Sequence, residues 1–154
     1  MVVAPGMADV VRFAGGWLFD VVMAGWEALV LTADGVDARP LRILGARPLD
    51  LEADLATSVR VPGPNAIAAD ARLCESDERV RQVVLSAVDS GAVEVRIWGD
   101  HWPACLDDEV GIPRQHKLSV AAQAFKAQAM AAAGVDADHT TEVFRHPTRH
   151  LASV

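Results

Sequence analysis

The sequence predicts an α+β fold: a small three-stranded sheet, mixed or antiparallel, with helices packed against it in a single domain. Three observations lead there. The stretch from Phe13 to Leu31, FAGGWLFDVVMAGWEALVL, carries no charges besides Asp20 and Glu27 and must be buried. Val80, Val83, Val84, Ala87 and Val88 recur at the spacing of an amphipathic helix. Ala92 to Trp98 alternates, with Val93, Val95 and Ile97 on one side and Glu94, Arg96 and Trp98 on the other, as in a strand with one wet face.

Taken in order, MVVAPGMA contains Pro5 and Gly6 and reads as an irregular arm, with a helix starting near Asp9 or after Gly15 and Gly16. Trp17, Leu18, Val21 and Val22 fall on one helical face, and Gly25 supplies a left-handed stop. Glu27 to Thr32 is short, branched and apolar, a strand. Asp34 and Gly35 carry turn chemistry, and LRIL after them completes an expected hairpin from Glu27 to Leu44. Asp50 to Ala56 allows one or two helical turns. VPGPN, with Pro62, Gly63 and Pro64, forbids regular structure and sets an internal boundary near 61–65. Asn65 is placed to cap a helix running to Cys74. Ser76 is placed to cap the amphipathic helix, Asp77 and Glu78 put negative charge in its first turn, and Gly91 closes it.

Gly99 to His116 mixes prolines, glycines, acids and histidines without a period, so it reads as a long loop, the kind that often carries function. Lys117 to Ala133 is helical, with Leu118, Ala121, Ala122, Phe125, Ala129 and Ala132 on one side. Its alanine face suits close approach to a neighbouring helix or to a second copy. Residues 135–154 are polar and broken by Pro147, an arm after a domain spanning 1–134. With only three convincing strands, a doubly wound sheet is disfavoured.

Composition narrows the function classes. A net charge of −7 and a pI near 5.1, with the basic residues scattered, argue against nucleic acid as partner. A membrane span through Phe13–Leu31 would place Asp20 near mid-bilayer at about 2.5–3.5 kcal/mol, and no signal-peptide pattern precedes it. Cys74 and Cys105 read as reduced thiols in a cytoplasmic chain. Abundant Ala, Val and Arg beside two lysines reflect a high-GC genome.

Three groups of residues could carry chemistry. His101, Cys105, Asp107 and Asp108 bring an imidazole, a thiol and carboxylates onto one loop beside Trp98 and Trp102. They could serve as metal ligands or as a thiol with its base, although His-x3-Cys is not a zinc spacing. His139, His146 and His150 could join His101 and Cys105 around a metal, but Pro147 spoils a helical arrangement. Asp20 lies within the apolar helix, either facing water or paired with Arg12 or Arg96. Nucleotide, phosphate and nucleophile-elbow signatures are absent. The sequence therefore predicts a cytoplasmic interaction or regulatory module without catalysis or cofactor, whose partner is another protein or itself as a homodimer. One alternative is a metal-dependent hydrolase or other enzyme built on the His101 loop; another is a small-ligand binder using Trp98 and Trp102 as an aromatic wall.

Overall fold

A computed structural model of the chain describes residues 1–35, 37–60, 63–106, 111–136 and 141–147. Its elements run β1 (Val2–Ala4), α1 (Met7–Met23), β2 (Leu29–Thr32), α2 (Arg39–Ile43), β3 (Arg47–Asp50), α3 (Leu51–Ser58), β4 (Ala66–Asp70), α4 (Ala71–Ser76), α5 (Glu78–Ser90), β5 (Glu94–Trp98), β6 (Ile112–Lys117), α6 (Val120–Ala133) and β7 (Thr141–His146). One seven-stranded sheet takes the order β3-β2-β1-β4-β5-β7-β6. Its first five strands are parallel, while β7 runs antiparallel to both β5 and β6.

The expected three-stranded α+β domain is thus replaced by an α/β fold with helices on both faces of a mixed sheet. Alternation along each strand explains why there are two cores. Val2, Ala4, Val30, Ala68 and Trp98 point to the side covered by α1, α2 and α6. Val3, Leu31, Ile67, Ala69, Val95 and Ile97 point to the side covered by α3, α4 and α5. Strands buried on both faces read as continuous apolar runs, which is how β1 and β4 escape a period-two search. The face of β5 expected to be wet is half covered: Arg96 lies against Trp17, and Trp98 is 2% exposed.

The helix-then-strand reading of Phe13–Leu31 holds. α1 ends at Met23, and Gly25 takes φ +96° before β2 begins. The expected hairpin does not form. LRIL forms the end of α2 and its cap, Leu44, with Pro40 in the first turn, and Gly45 at φ +79° turns the chain into β3, which pairs parallel to β2. A short apolar run cannot distinguish helix from strand by period alone, and here Pro40 favours the helix. Beyond the Pro62–Pro64 boundary, AIAAD forms β4 rather than a helix capped by Asn65, because it sits between β1 and β5 at the centre of the sheet. Asp70 then caps α4, and Asp77 caps α5, which buries Val80, Val84, Ala87 and Val88 and stops at Gly91 with φ +64°.

The presumed long loop contains β6, with Pro113 tolerated on the sheet's edge strand. The presumed arm contributes β7, which sits between β5 and β6. α6 packs on α1 of the same chain. It buries Ala122, Ala129 and Met130, while Phe125 stacks on Phe19 at 4.5 Å. Among the described residues no helix is long and apolar enough to cross a membrane.

A buried ion pair ties the last elements to the first. Lys126 Nζ lies 2.6 Å from Glu142 Oε2, and both side chains are at most 2% exposed. The Glu142 carboxylate accepts from Gly16 N at 2.8 Å and Trp17 N at 2.7 Å, and Lys126 donates to the carbonyl of Arg12 at 2.7 Å. The pair therefore engages both ends of one helical step of α1, Arg12 C=O and Gly16 N–H. Gly16 has no room for a side chain, since a Cβ there would lie 2.2 Å from Leu118.

Candidate active site

In a doubly wound sheet, ligands bind outside the carboxyl ends of the strands, where the strand order reverses. Here the reversal falls between β1 and β4. The turns after β1 and β2, the start of α4 and the loop after β5 lie along that edge, and Asp34 and Asp70 stand at the first turns of α1 and α4. Asp34 accepts from Met7 N with both oxygens, at 3.2 and 3.3 Å, so a carboxylate of the chain already occupies the start of α1. A phosphate would meet charge repulsion where a helix N-terminus usually attracts it. Gly6 makes the contact possible, as a Cβ would lie 2.9 Å from Asp34 Oδ2. Burial, and next the neighbouring Asp70 carboxylate, raise the pKa of Asp9 in the first turn of α1. Asp70 is 1% exposed and is satisfied by Arg72 N at 2.8 Å and Leu73 N at 3.3 Å, with Arg72 Nε at 3.7 Å. Beside them a cleft of about 310 Å³ opens between Met7, Thr32, Asp34, Leu41 and Asp50.

The loop after β5 brings the imidazole. Gly99, at φ +131°, turns the chain tightly against Ala71, whose Cβ would be 3.1 Å from a Cβ at this position. His101 Nε2 then lies 2.9 Å from Glu75 Oε2 in α4, and Ala104 N donates to Glu75 Oε1 at 3.2 Å. The His101 contact first, and then the Ala104 N–H, hold the Glu75 carboxyl below its usual range. The pair is open to solvent, with the His101 side chain 46% exposed and Glu75 37%. A carboxylate bonded to one ring nitrogen fixes the imidazole's orientation and leaves the other nitrogen to exchange a proton, the arrangement of a positioned general base.

The other residues singled out from sequence are placed differently. Cys105 is half buried and in no disulfide; His101 Nε2 is bonded to Glu75 instead of serving a thiol. Cys74 is buried, and burial pushes its thiol up to about 12, far from a reactive thiolate. Trp98 is buried, and Trp102 donates its indole N–H to Leu106 O at 2.8 Å, so these two form no open aromatic wall. Asp107, Asp108, His139 and His150 lie outside the described residues. His146 sits in β7, where burial and then Arg96 lower its pKa. Among the described residues no three His, Cys, Asp or Glu side chains gather as a set that could hold a metal ion.

Asp20 neither faces water freely nor pairs with Arg12 or Arg96. It accepts from Ser119 Oγ at 2.6 Å and contacts His116 Nε2 at 2.8 Å. Burial pushes its pKa up, but these bonds outweigh that and hold it down. Sequence reasoning missed Glu75, which stands on a short helix with no periodic signal, and Glu142, which sits among polar residues of the supposed arm. Asp70 was recoverable, because an acid directly after an apolar run and before ARL marks a strand end and a helix cap.

No protein-family model matches the chain, and no curated protein matches it at a significant level. Solved structures do match. A deacetylase triple mutant, Orf2*T, involved in the teicoplanin biosynthetic pathway superposes with a TM-score of 0.64 at 13% identity, covering 94% of this chain and 95% of that one. Dbv21, a deacetylase of the antimicrobial A40926 pseudoaglycone, gives 0.64 at 14% identity, covering 97% and 96%. The complex of a deacetylase with teicoplanin gives 0.67 at 13% identity, covering 94% and 96%. These matches overturn the expected non-catalytic interaction module: over 94–97% of its length this chain is similar in fold to solved deacetylases.

Proposed function

We propose that the chain is a hydrolase that removes a small acyl group from an amine, working at the carboxyl edge of the sheet. The supporting observation is the Glu75–His101 pair, exposed on α4 and the loop after β5 of a fold shared over nearly its whole length with deacetylases. His101 takes a proton from water while Glu75 holds the ring. The hydroxide adds to the acyl carbon and the C–N bond breaks. The imidazolium returns its proton to the departing amine, leaving a carboxylic acid and an amine, which exchange the acid proton to become carboxylate and ammonium. The acidic surroundings formed by Asp9, Asp34 and Asp70 suit a neutral or amine-bearing substrate better than a phosphorylated one.

The test is release of acetate from N-acetylated amino sugars and N-acetyl glycopeptides by the purified chain. Removing a general base costs about 10²–10⁴-fold in turnover, so His101→Ala should fall by that factor with the fold intact, and Glu75→Gln by less. Absence of acetate release across the panel, or full activity of His101→Ala, refutes the proposal.

A further inference from the structure

At the opposite edge of the sheet, where β1, β2, β4 and β5 begin, lies a second cleft of about 390 Å³. Trp17, Val21 and Trp26 form its apolar wall. Trp26 follows the Gly25 turn and is left 53% exposed, a large aromatic surface facing an open cavity. Glu27, Glu94 and Arg96 supply its charged side chains. Arg96 is already engaged: its Nε and Nη2 lie 2.7 and 2.6 Å from Glu94 Oε1, and its guanidinium stands 4.9 Å over the Trp17 ring. The same wall thus already holds one cation of the chain between an indole face and a carboxylate.

Trp26 and Glu27 offer a second such pairing, and among the described residues no lysine or arginine stands over the Trp26 ring. Glu27 is 72% exposed and pairs at the surface with Arg47, whose Nη1 stands 3.8 Å from Oε1 and which does not line the cleft. The Met1 amine in the cleft wall is bonded to Ala66 O at 2.9 Å, and burial lowers it to about 6, so it adds little positive charge at neutral pH. With Glu94 neutralising Arg96, Glu27 leaves the lining negative.

We propose that this cleft binds a small organic ammonium ion, with its apolar body against Trp26 and Val21 and its nitrogen over the Trp26 ring near Glu27. Cation–π attraction strengthened by a carboxylate selects such a ligand over a neutral molecule of the same shape. The site is independent of the hydrolase edge.

Benzyltrimethylammonium chloride titrated into the full chain, followed by the indole N–H resonances and by calorimetry, tests this. The Trp17 and Trp26 signals should shift saturably while those of Trp98 and Trp102 stay. Trp26→Ala should weaken binding at least about tenfold, Glu27→Gln a few-fold, and neutral benzyl alcohol should bind at least about tenfold more weakly. Trp26 is exposed, so its variant should fold; if it does not, Glu27→Gln and benzyl alcohol decide. No saturable shift, shifts at Trp102 instead, equal binding of benzyl alcohol, or unchanged affinity on Glu27→Gln overturns the proposal.

Discussion

Removing either member of the Lys126–Glu142 pair should destabilise the protein far more than removing both. Each side chain is at most 2% exposed, and the pair bonds to Arg12 O, Gly16 N and Trp17 N. In Glu142→Leu the Lys126 ammonium keeps only a carbonyl, an uncompensated buried charge that costs about 3–5 kcal/mol. Lys126→Met leaves the carboxylate on two N–H donors without its cation, at about the same cost. The double variant contains no buried charge, and methionine follows the lysine stem. What remains is the weakened hydrogen bonding of Arg12, Gly16 and Trp17, about 1–3 kcal/mol in all if the helix closes its own step. The coupling energy is therefore at least about 3 kcal/mol, a large share of the roughly 5–15 kcal/mol that a domain commands. Urea unfolding of the wild type, both single variants and the double variant measures it, provided the slopes agree. Additive losses, with coupling under about 1 kcal/mol, would show that the pair is not acting as a desolvated unit.

Further outcomes follow from other contacts. Gly16→Ala drives a Cβ to 2.2 Å from Leu118 and should cost about 1–3 kcal/mol by thermal or urea unfolding; a neutral result would place Leu118 elsewhere. The Asp20 carboxyl is depressed in the folded state, so its contribution is present above its unfolded pKa and lost as pH falls through the folded value. The stability gap between wild type and Asp20→Ala, about 1 kcal/mol at pH 7, should accordingly shrink at acid pH, and a gap independent of pH would refute the assignment. Cys74, buried and pushed up to about 12, should resist iodoacetamide at pH 8 until urea unfolds the chain, as peptide mass mapping would show.

Local signals were legible wherever one element could be recognised by itself. α5 announced its buried face and its glycine stop, though its cap is Asp77 and not Ser76, which ends α4, and α1 with β2 followed from one apolar run turned at Gly25. The sheet was not legible, because its strands are short and buried on both sides. VVA in β1 and AIAAD in β4 carry no alternation, and alanine at the centre of a sheet looks like helix. Only pairing between residues far apart in sequence, Val2 with Val30 and with Ala68, makes them strands. Of the candidate site, His101 was visible as an imidazole on an irregular loop. Its partner Glu75 was not, since the contact spans 26 positions and depends on the placement of β4 beside β5.

The place of β7 has a consequence for how the protein assembles. β6 emerges from the ribosome first, yet among the described residues its neighbour in the sheet is β7 alone, which must slide in between it and β5. Until Thr141–His146 has been synthesised, β6 has nothing to pair with, and the flank of β5 stands open as an adhesive border. A nascent chain stalled before that point would present both to its surroundings. Its hazard is joining with other chains, and the final strand is the stitch that closes the seam.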